Sequence, residues 1–407
     1  MLPLLSIKQF FGDMRRQKLR TLMTTFGIFW GTCSIVLLFA FGGGMGDQVL
    51  KSQKGIGENI AIVWGGRTSK EFKGLPSGRR VRLTESDASL IKTQARTLAG
   101  VSPEYSRWNV TLKYGSNTLL QSIVGVWPEF GTMRNLIPDV GSRFINERDI
   151  AERRRVIFIG DVLKTELFGD KEAVGEMIMV NGTPFTVVGV MKTKDQDSNY
   201  NGRDNRKGVI PASTFQAMFS HRYLNDIIIQ SKDEFSMEQG KREMFEILGA
   251  RFRFDPDDDE ALMIWDTTEG VKFLKTFFLA FQMFLVGIGV ATLITGAIGV
   301  SNIMNVVLEE RTKEIGIKMA LGAKKGVILM QFVFETLLIT GLGGVLGFLF
   351  AFGLISLVPM FNIEEYVGVP RVDLGIGVAV IILLGIVGLI AGIFPARRAA
   401  NLQPVQA

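Results

Sequence analysis

One histidine and one cysteine are all that 407 residues contain. With only His221 and Cys33 to draw on, zinc sites built from His and Cys are excluded by count, and a Ser-His-Asp triad could form only around His221. His221 lies in a helix-to-strand connection, where a surface role is the plain reading. A single cysteine forbids any disulfide within the chain, so every domain must be stable without one. No GxxxxGK[ST] run occurs, so these residues offer no P-loop; if ATP drives the protein, another chain supplies it. No basic patch interleaved with aromatics appears either, and nucleic acid is not an expected partner despite the net charge of +6. The acidic run Asp255, Asp257, Asp258, Asp259, Glu260 departs from a calcium loop, with Glu260 at the sixth position and Asp266 at the twelfth, and a solvated turn is expected.

Charge is also missing in long blocks. Four windows, Leu22–Gly42, Phe277–Leu308, Val327–Val358 and Leu374–Ala396, are nearly or wholly free of it, and each reaches the roughly 20 apolar residues that cross a hydrocarbon core. Cys33 lies in the first window, and the third holds one acid, Glu335. Basic residues cluster before the first window (Lys8, Arg15, Arg16, Lys18, Arg20), between the second and third (Arg311, Lys313, Lys318, Lys324, Lys325) and after the fourth (Arg397, Arg398); Arg371 alone lies between the third and fourth. Because Lys and Arg are retained on the cytoplasmic side of short loops, both termini and the 309–326 segment are expected in the cytoplasm, with Asp47–Lys275 outside. That long stretch carries 33 basic and 32 acidic residues, so most of the net charge comes from the membrane-flanking segments. The basic balance is a topology signal.

Asp47–Lys275 is long enough for a core of its own. Strands are expected at Asn59–Trp64, Leu119–Trp127, Arg155–Gly160 and Asp226–Gln230, and helices at Thr84–Leu98, Asp161–Phe168 and about Phe235–Leu248. The clearest hairpin is Met177–Met191, where β-branched runs flank Asn181-Gly182, a dipeptide that suits a type I′ turn. Lys194–Lys207 has no periodicity and reads as an exposed loop.

The segment EERTKEIGIKMALGAKKG, Glu309–Gly326, is charged, amphipathic and held between two apolar windows. Ile315 and Met319, like Ile317 and Leu321, stand four apart on a helix, Glu314 and Lys318 are spaced as an i,i+4 ion pair, and Gly322 is placed to close the helix. GxxxG spacing links Gly27 with Gly31, Gly343 with Gly347, and Gly388 with Gly392, marking possible close helix contacts. Glu335 sits roughly 13 Å into the third window at about 1.5 Å per residue. It could pair with the cytoplasmic basic cluster, make a polar contact in the bundle, or couple to protons.

EERTKEIGIKMALGAKK resembles the ERTREIGIRMALGA signature of the MacB/FtsX-type (type VII) ABC transporter permeases. The likeness extends to QFVFETLLITGLGGVLG, the closing GIFPARRAANLQPVQA and the outer VGEMIMVNGTPFTVVGVM. It implies an α-helical membrane protein with four transmembrane helices and a large α+β extracytoplasmic domain of two lobes inserted between the first and second spans. The expected layout is an amphipathic N-terminal helix at 1–21, spans at 22–46, 276–308, 327–358 and 374–396, and an outer domain at 47–275. Within that domain a first lobe of 47–114 plus 224–275 would hold an inserted lobe of 115–223. A coupling helix at 309–326, an outer loop at 359–373 and a cytoplasmic tail at 397–407 complete the chain.

By this resemblance ATPase coupling falls to Glu309, Glu310, Arg311, Lys313, Glu314, Ile315, Gly316, Lys318, Met319, Leu321, Gly322 and Lys324. The first span is the expected dimer contact. The implied partners are a separate ABC ATPase dimer that brings ATP and Mg, a second permease copy or similar permease, and an adaptor with an outer-membrane channel, all at a bacterial inner membrane. The expected chain binds no cofactor itself and begins directly at the pre-membrane helix, unlike fused relatives. Efflux by mechanotransmission is the leading expectation; lipoprotein extraction and signalling to an extracytoplasmic hydrolase remain open.

Overall fold

The computed structural model describes residues 18–194, 199–361, 368–372 and 374–401. Most of the expected N-terminal helix, with Lys8, Arg15 and Arg16, lies outside the described residues, as do parts of the expected 359–373 loop and 397–407 tail. The chain divides into two compact units, Met1–Val49 with Lys275–Ala407, and Leu50–Leu274.

Helix α1 (Lys18–Lys54) is the first described element. The outer unit then contains, in order, β1 (Ile60–Gly65), α2 (Glu85–Gln94), β2 (Leu98–Tyr114), β3 (Asn117–Val126), α3 (Glu129–Met133), α4 (Glu147–Ala151), β4 (Val156–Ile159), α5 (Asp161–Phe168), β5 (Met177–Val180), β6 (Thr183–Val190), β7 (Gly208–Pro211), α6 (Ala212–Phe219), β8 (Asp226–Ser231), α7 (Met237–Phe252) and β9 (Leu262–Asp266). All nine strands join one sheet, in the order β3-β7-β4-β6-β5-β2-β8-β1-β9, and a further pairing of β3 with β2 closes six of them into a ring. Closure removes free edges that would otherwise invite intermolecular pairing.

The long strand β2 makes this topology possible. Its first half pairs with β8 from Leu98 to Glu104, and its second half pairs with β5 through Leu112 and Lys113. Between them the β2–β3 register shifts at Arg107/Val110, where Asn109 takes φ of 57°, a bulge that bends the strand from one arm of the sheet into the ring. Strand β1 reads as an unbroken apolar run because both its faces are buried: Ala61 and Val63 enter one core while Ile60 and Ile62 enter another.

The Met177–Met191 hairpin forms at the expected Asn181-Gly182 turn, with φ of 46° and 78°. Thr84 caps α2 through a capping box with Asp87, but the helix stops at Gln94 instead of Leu98. Glu243 of α7 accepts the amide hydrogens of Arg96 and Thr97 at 2.8 and 3.1 Å, drawing the chain out of the helix and into β2. The turn expected at 255–260 leaves Asp257, Asp259 and Glu260 exposed, but one of its acids departs from the solvated reading. Asp258 is buried and accepts from the Ser69 and Lys70 backbone at 2.8 and 3.1 Å, so it anchors the 69–70 segment. The loop expected to be exposed at Lys194–Lys207 has Asn201, Asp204 and Lys207 buried, because its charges are neutralised against one another and against Arg134.

The helical unit resumes with α8 (Thr267–Glu310), followed by α9 (Thr312–Ala320), α10 (Lys325–Leu357) and α11 (Leu374–Ala400). Among the described residues, four helices are long and apolar enough to cross a membrane, Thr25–Ser52, Thr267–Glu310, Lys325–Phe361 and Gly377–Ala400. Helix α8, with 44 residues, is about 66 Å long at 1.5 Å per residue, more than twice a hydrocarbon core of about 30 Å. The unit's core gathers Ile28, Val36, Leu293, Val300, Phe332 and Ala391 from all four long helices.

Each GxxxG pair marks a contact within the chain. Gly27 and Gly31 of α1 face Gly296 and Leu293 of α8, Gly343 and Gly347 of α10 lie against the α1 backbone from Thr25 to Cys33, and Gly388 and Gly392 of α11 meet Thr340 and Thr336 of α10. A Cβ on Gly347 would collide with the Phe29 carbonyl oxygen, so only glycine permits that approach. Gly27 and Gly31 are thus engaged inside the chain, and any dimer contact on α1 falls to its exposed Leu22, Met23, Phe26 and Trp30.

Candidate functional site

The charged segment between the second and third long helices is two pieces of structure. Helix α8 continues through Glu309 and Glu310, both exposed, then breaks at Arg311, whose φ of −99° and ψ of 11° lie outside the helical basin. Thr312 donates its hydroxyl to the Leu308 carbonyl at 3.0 Å across the break. Helix α9 then runs from Thr312 to Ala320, shorter than the expected 309–326.

Its end is a Schellman closure. Ala323 donates to the Lys318 carbonyl and Gly322 to the Met319 carbonyl, both at 3.0 Å, with Gly322 at φ of 93°. Lys324 lies exposed just before α10, and Lys325 in its first turn reaches Asn401 Oδ1 at 3.4 Å.

The two apolar pairs spaced four apart face different ways. Ile315 and Gly316 are buried and Met319 packs against the bundle core, whereas Ile317 is 62% exposed and Leu321 83% exposed. Lys313 and Glu314 flank them, also exposed, and Lys318 is half-buried. No ion pair joins Glu314 to Lys318 among the described residues. The result is a short helix with one apolar edge fixed inward and a second apolar edge, ringed by charge, open to solvent.

Glu335 is brought to this corner. Its carboxylate is buried, and Arg311 Nη1 stands 3.3 Å from each of its oxygens while Gln331 Nε2 donates to Oε1 at 3.2 Å. Arg311 at the α8–α9 break is thereby tied to the first third of α10, 24 positions along the chain. Glu335 was visible in the sequence as the single acid of its window; its partner was not, because Arg311 is one of five basic residues in the intervening segment. Elsewhere, His221 lies edge-on to the Phe215 ring at 5.5 Å.

Comparison with known proteins agrees along the chain. Residues 21–246 match the MacB-like periplasmic core domain, and residues 273–404 match the FtsX-like permease C-terminal domain. A protein named macrolide export ATP-binding/permease protein MacB from Neisseria meningitidis is 32% identical over 404 residues, covering 96% of this chain and 58% of that protein. Its namesake from Bdellovibrio bacteriovorus is 29% identical, covering 98% and 61% respectively. The chain therefore spans about three-fifths of the length of these relatives. Among solved structures, the periplasmic region of MacB from Actinobacillus actinomycetemcomitans aligns with a TM-score of 0.43 at 19% identity, over 56% of this chain and 97% of that one. Four apolar helices joined to a MacB-like periplasmic core fit a multi-pass protein of the inner membrane, and the chain belongs to the MacB/FtsX-type family of ABC transporter permeases.

Proposed function

We propose that this chain is the permease subunit of an ATP-driven transporter that works by mechanotransmission, exporting a substrate such as an antibiotic or peptide taken from the periplasmic side. The observation that carries the reading is α9. A helix with Ile317 and Leu321 exposed amid Lys313, Glu314 and Lys318 has the apolar knobs and charged rim that suit docking on another protein. Its opposite edge is packed into the bundle, so a push on α9 is passed on to α8 and α10 and not absorbed by a loop.

In this reading α9 and both termini lie in the cytoplasm, and ATP and Mg are held by a separate ATPase dimer. ATP binding would close that dimer and tilt α8 and α10; α8 begins at Thr267, so its movement would rearrange the outer domain. The outer domain would divide into a first lobe and an inserted lobe of 115–223, a division supported by the bend in β2, and would meet an adaptor and outer-membrane channel. A second permease copy would complete the bundle.

Charge reversal of Glu310, Arg311 and Glu314 together is the direct test, with ATP hydrolysis and transport measured on the same purified complex. Hydrolysis that continues while transport stops is the expected result; unchanged transport overturns the reading. A lipoprotein or a cell-wall hydrolase co-purifying in place of an adaptor would redirect it to extraction or signalling.

A further inference from the structure

A buried ionic cluster in the outer unit belongs to none of the sites above. Arg134, just after α3, is fully buried, and its Nη2 donates to both oxygens of Asp204 at 2.9 Å. Lys194 and Lys207 reach the same carboxylate at 2.8 and 3.3 Å, so one acid collects three cations. Apolar side chains of similar volume often replace a buried ion pair without loss of stability, so a cluster of this kind points to a positional role as well as a stabilising one.

What the cations hold besides Asp204 is informative. Arg134 Nη1 donates to the carbonyl of Ile56 at 2.8 Å, and Lys194 Nζ donates to the carbonyls of Gly55 at 3.0 Å and Arg134 at 2.8 Å. Gly55 and Ile56 are the two residues that follow the last residue of α1, Lys54. A helix end leaves carbonyls without intrahelical partners, and here the chain leaving the helix is gripped by one buried and one half-buried cation. The grip is close: Gly57 takes φ of 138°, and a Cβ there would collide with the Met133 carbonyl oxygen.

On its other side the cluster reaches the strands. Asp204 and Lys207 lead directly into β7 (Gly208–Pro211), and the Tyr200 ring lies 4.9 Å from the Arg134 guanidinium while its hydroxyl donates to Glu104 of β2. Burial opposes the charge on Asp204, yet Arg134, Lys207 and Lys194 hold its carboxyl below the usual range, so it remains an anion.

We propose that Arg134 and Lys194 are positioning residues that transmit movement of α1 into the strand ring, gripping the Gly55–Ile56 carbonyls on one side and, through Asp204, the segment entering β7 on the other. The proposal rests on the mechanotransmission reading and adds a second route for it, through the first span, to the route along α8. In it, the α1 exit and β7 move together because both are bound to the same three charges.

The test uses the full chain purified with its ATPase in lipid nanodiscs, reading amide hydrogen exchange with and without a non-hydrolysable ATP analogue. R134M/D204L replaces the ion pair with apolar groups but also takes the carboxylate from Lys194 and Lys207, whereas K194M removes the donor to the Gly55 and Arg134 carbonyls and leaves Asp204 with Arg134 and Lys207; ATPase rate and thermal unfolding are recorded for both. The expected result is that K194M remains folded with at most a modest fall in melting temperature and keeps the wild-type ATPase rate. Its nucleotide-dependent exchange change is lost in β3 and β7 but retained at the end of α8. A wild-type response in β3 and β7 of a folded variant overturns the proposal. Absence of any nucleotide response in the outer domain of the wild type overturns the mechanotransmission reading itself, and this proposal with it.

Discussion

The two units of this chain are held together by different physics. In the outer unit, strands bury apolar residues on both faces, and the positions that break the pattern are satisfied by ion pairs and capping side chains. In the helical unit, large apolar residues such as Leu279, Phe284, Leu349, Phe350 and Ile381 stand exposed, and the close contacts are made by Gly343, Gly347, Gly388 and Gly392. Lipid rewards exposed apolar side chains as well as a core does, so helix association there depends on close backbone approach and buried polar ties. A buried charge therefore has distinct consequences in each unit. Arg134 in the outer unit fixes one arrangement of loops, whereas the Arg311–Glu335 tie fixes one helix corner against another helix.

That contrast can be broken experimentally, beginning where the effect is largest. Gly347→Leu should abolish the assembled bundle, because the side chain would meet the α1 backbone, while Leu349→Ala two positions away should leave it intact. Size-exclusion profiles and limited proteolysis in detergent check both. Equal tolerance of the two would remove the claim that glycine contacts hold this unit.

Next in size, Arg134→Ala should destabilise the outer unit by about 3 to 5 kcal/mol, the scale of breaking a buried ion pair, because it empties a fully buried site, leaves the Ile56 carbonyl without its donor and leaves Asp204 only Lys194 and Lys207. For a unit of this size that is roughly 6 to 20 °C in melting temperature, readable by tryptophan fluorescence. Glu335→Ala should cost less, about 1 to 3 kcal/mol, since Arg311 retains some access to water. Glu335→Gln should restore part of this through its amide oxygen. Substituted bundles that melt like the wild type would show that the tie is not structural.

The smallest effect is a pH dependence. Burial, with Glu104 beside it, pushes the Asp226 carboxyl well above its usual range, so the native chain holds this proton more tightly than the unfolded chain does. Its contribution is full at low pH and is lost as pH rises from about 4 through the native value. Asp204 has the opposite sign: its stabilisation is in place above about 4 and is lost only as pH falls toward its depressed native value. Asp226→Asn should therefore stabilise the outer unit at neutral pH by about 1 kcal/mol, the scale of one pKa unit, and the gain should vanish near pH 4. A gain that is constant with pH in thermal melts would assign it to packing.

The hairpin at Asn181-Gly182, helix Asp161–Phe168 and the cap at Thr84 were legible because short-range chemistry specifies them. The 17-residue strand β2 was not, since its Gly100, Ser102 and Pro103 read as breakers until β8 and β3 supply partners. Strands β7 and β9 were missed, and α6 was given no bounds, for a related reason: runs as short as Gly208–Pro211 carry too little periodicity to distinguish a buried strand from a loop. At the candidate site, the amphipathic segment and its Gly322 terminus could be read from spacing. Which of its apolar pairs turns inward could not.

By itself the sequence determined what depends on neighbours along the chain: four apolar stretches, a charged segment between the second and third, a mixed α+β region between the first and second, and the residues that carry the family likeness. Only the tertiary structure decided that Ile315 and Met319 pack inward while Ile317 and Leu321 remain open, that Arg311 finds Glu335, and that Arg134 grips the chain leaving α1. Periodicity records the side chains an element offers. Partners distant in sequence determine which of those are covered, and in this chain burial and ion pairing across such distances set the site.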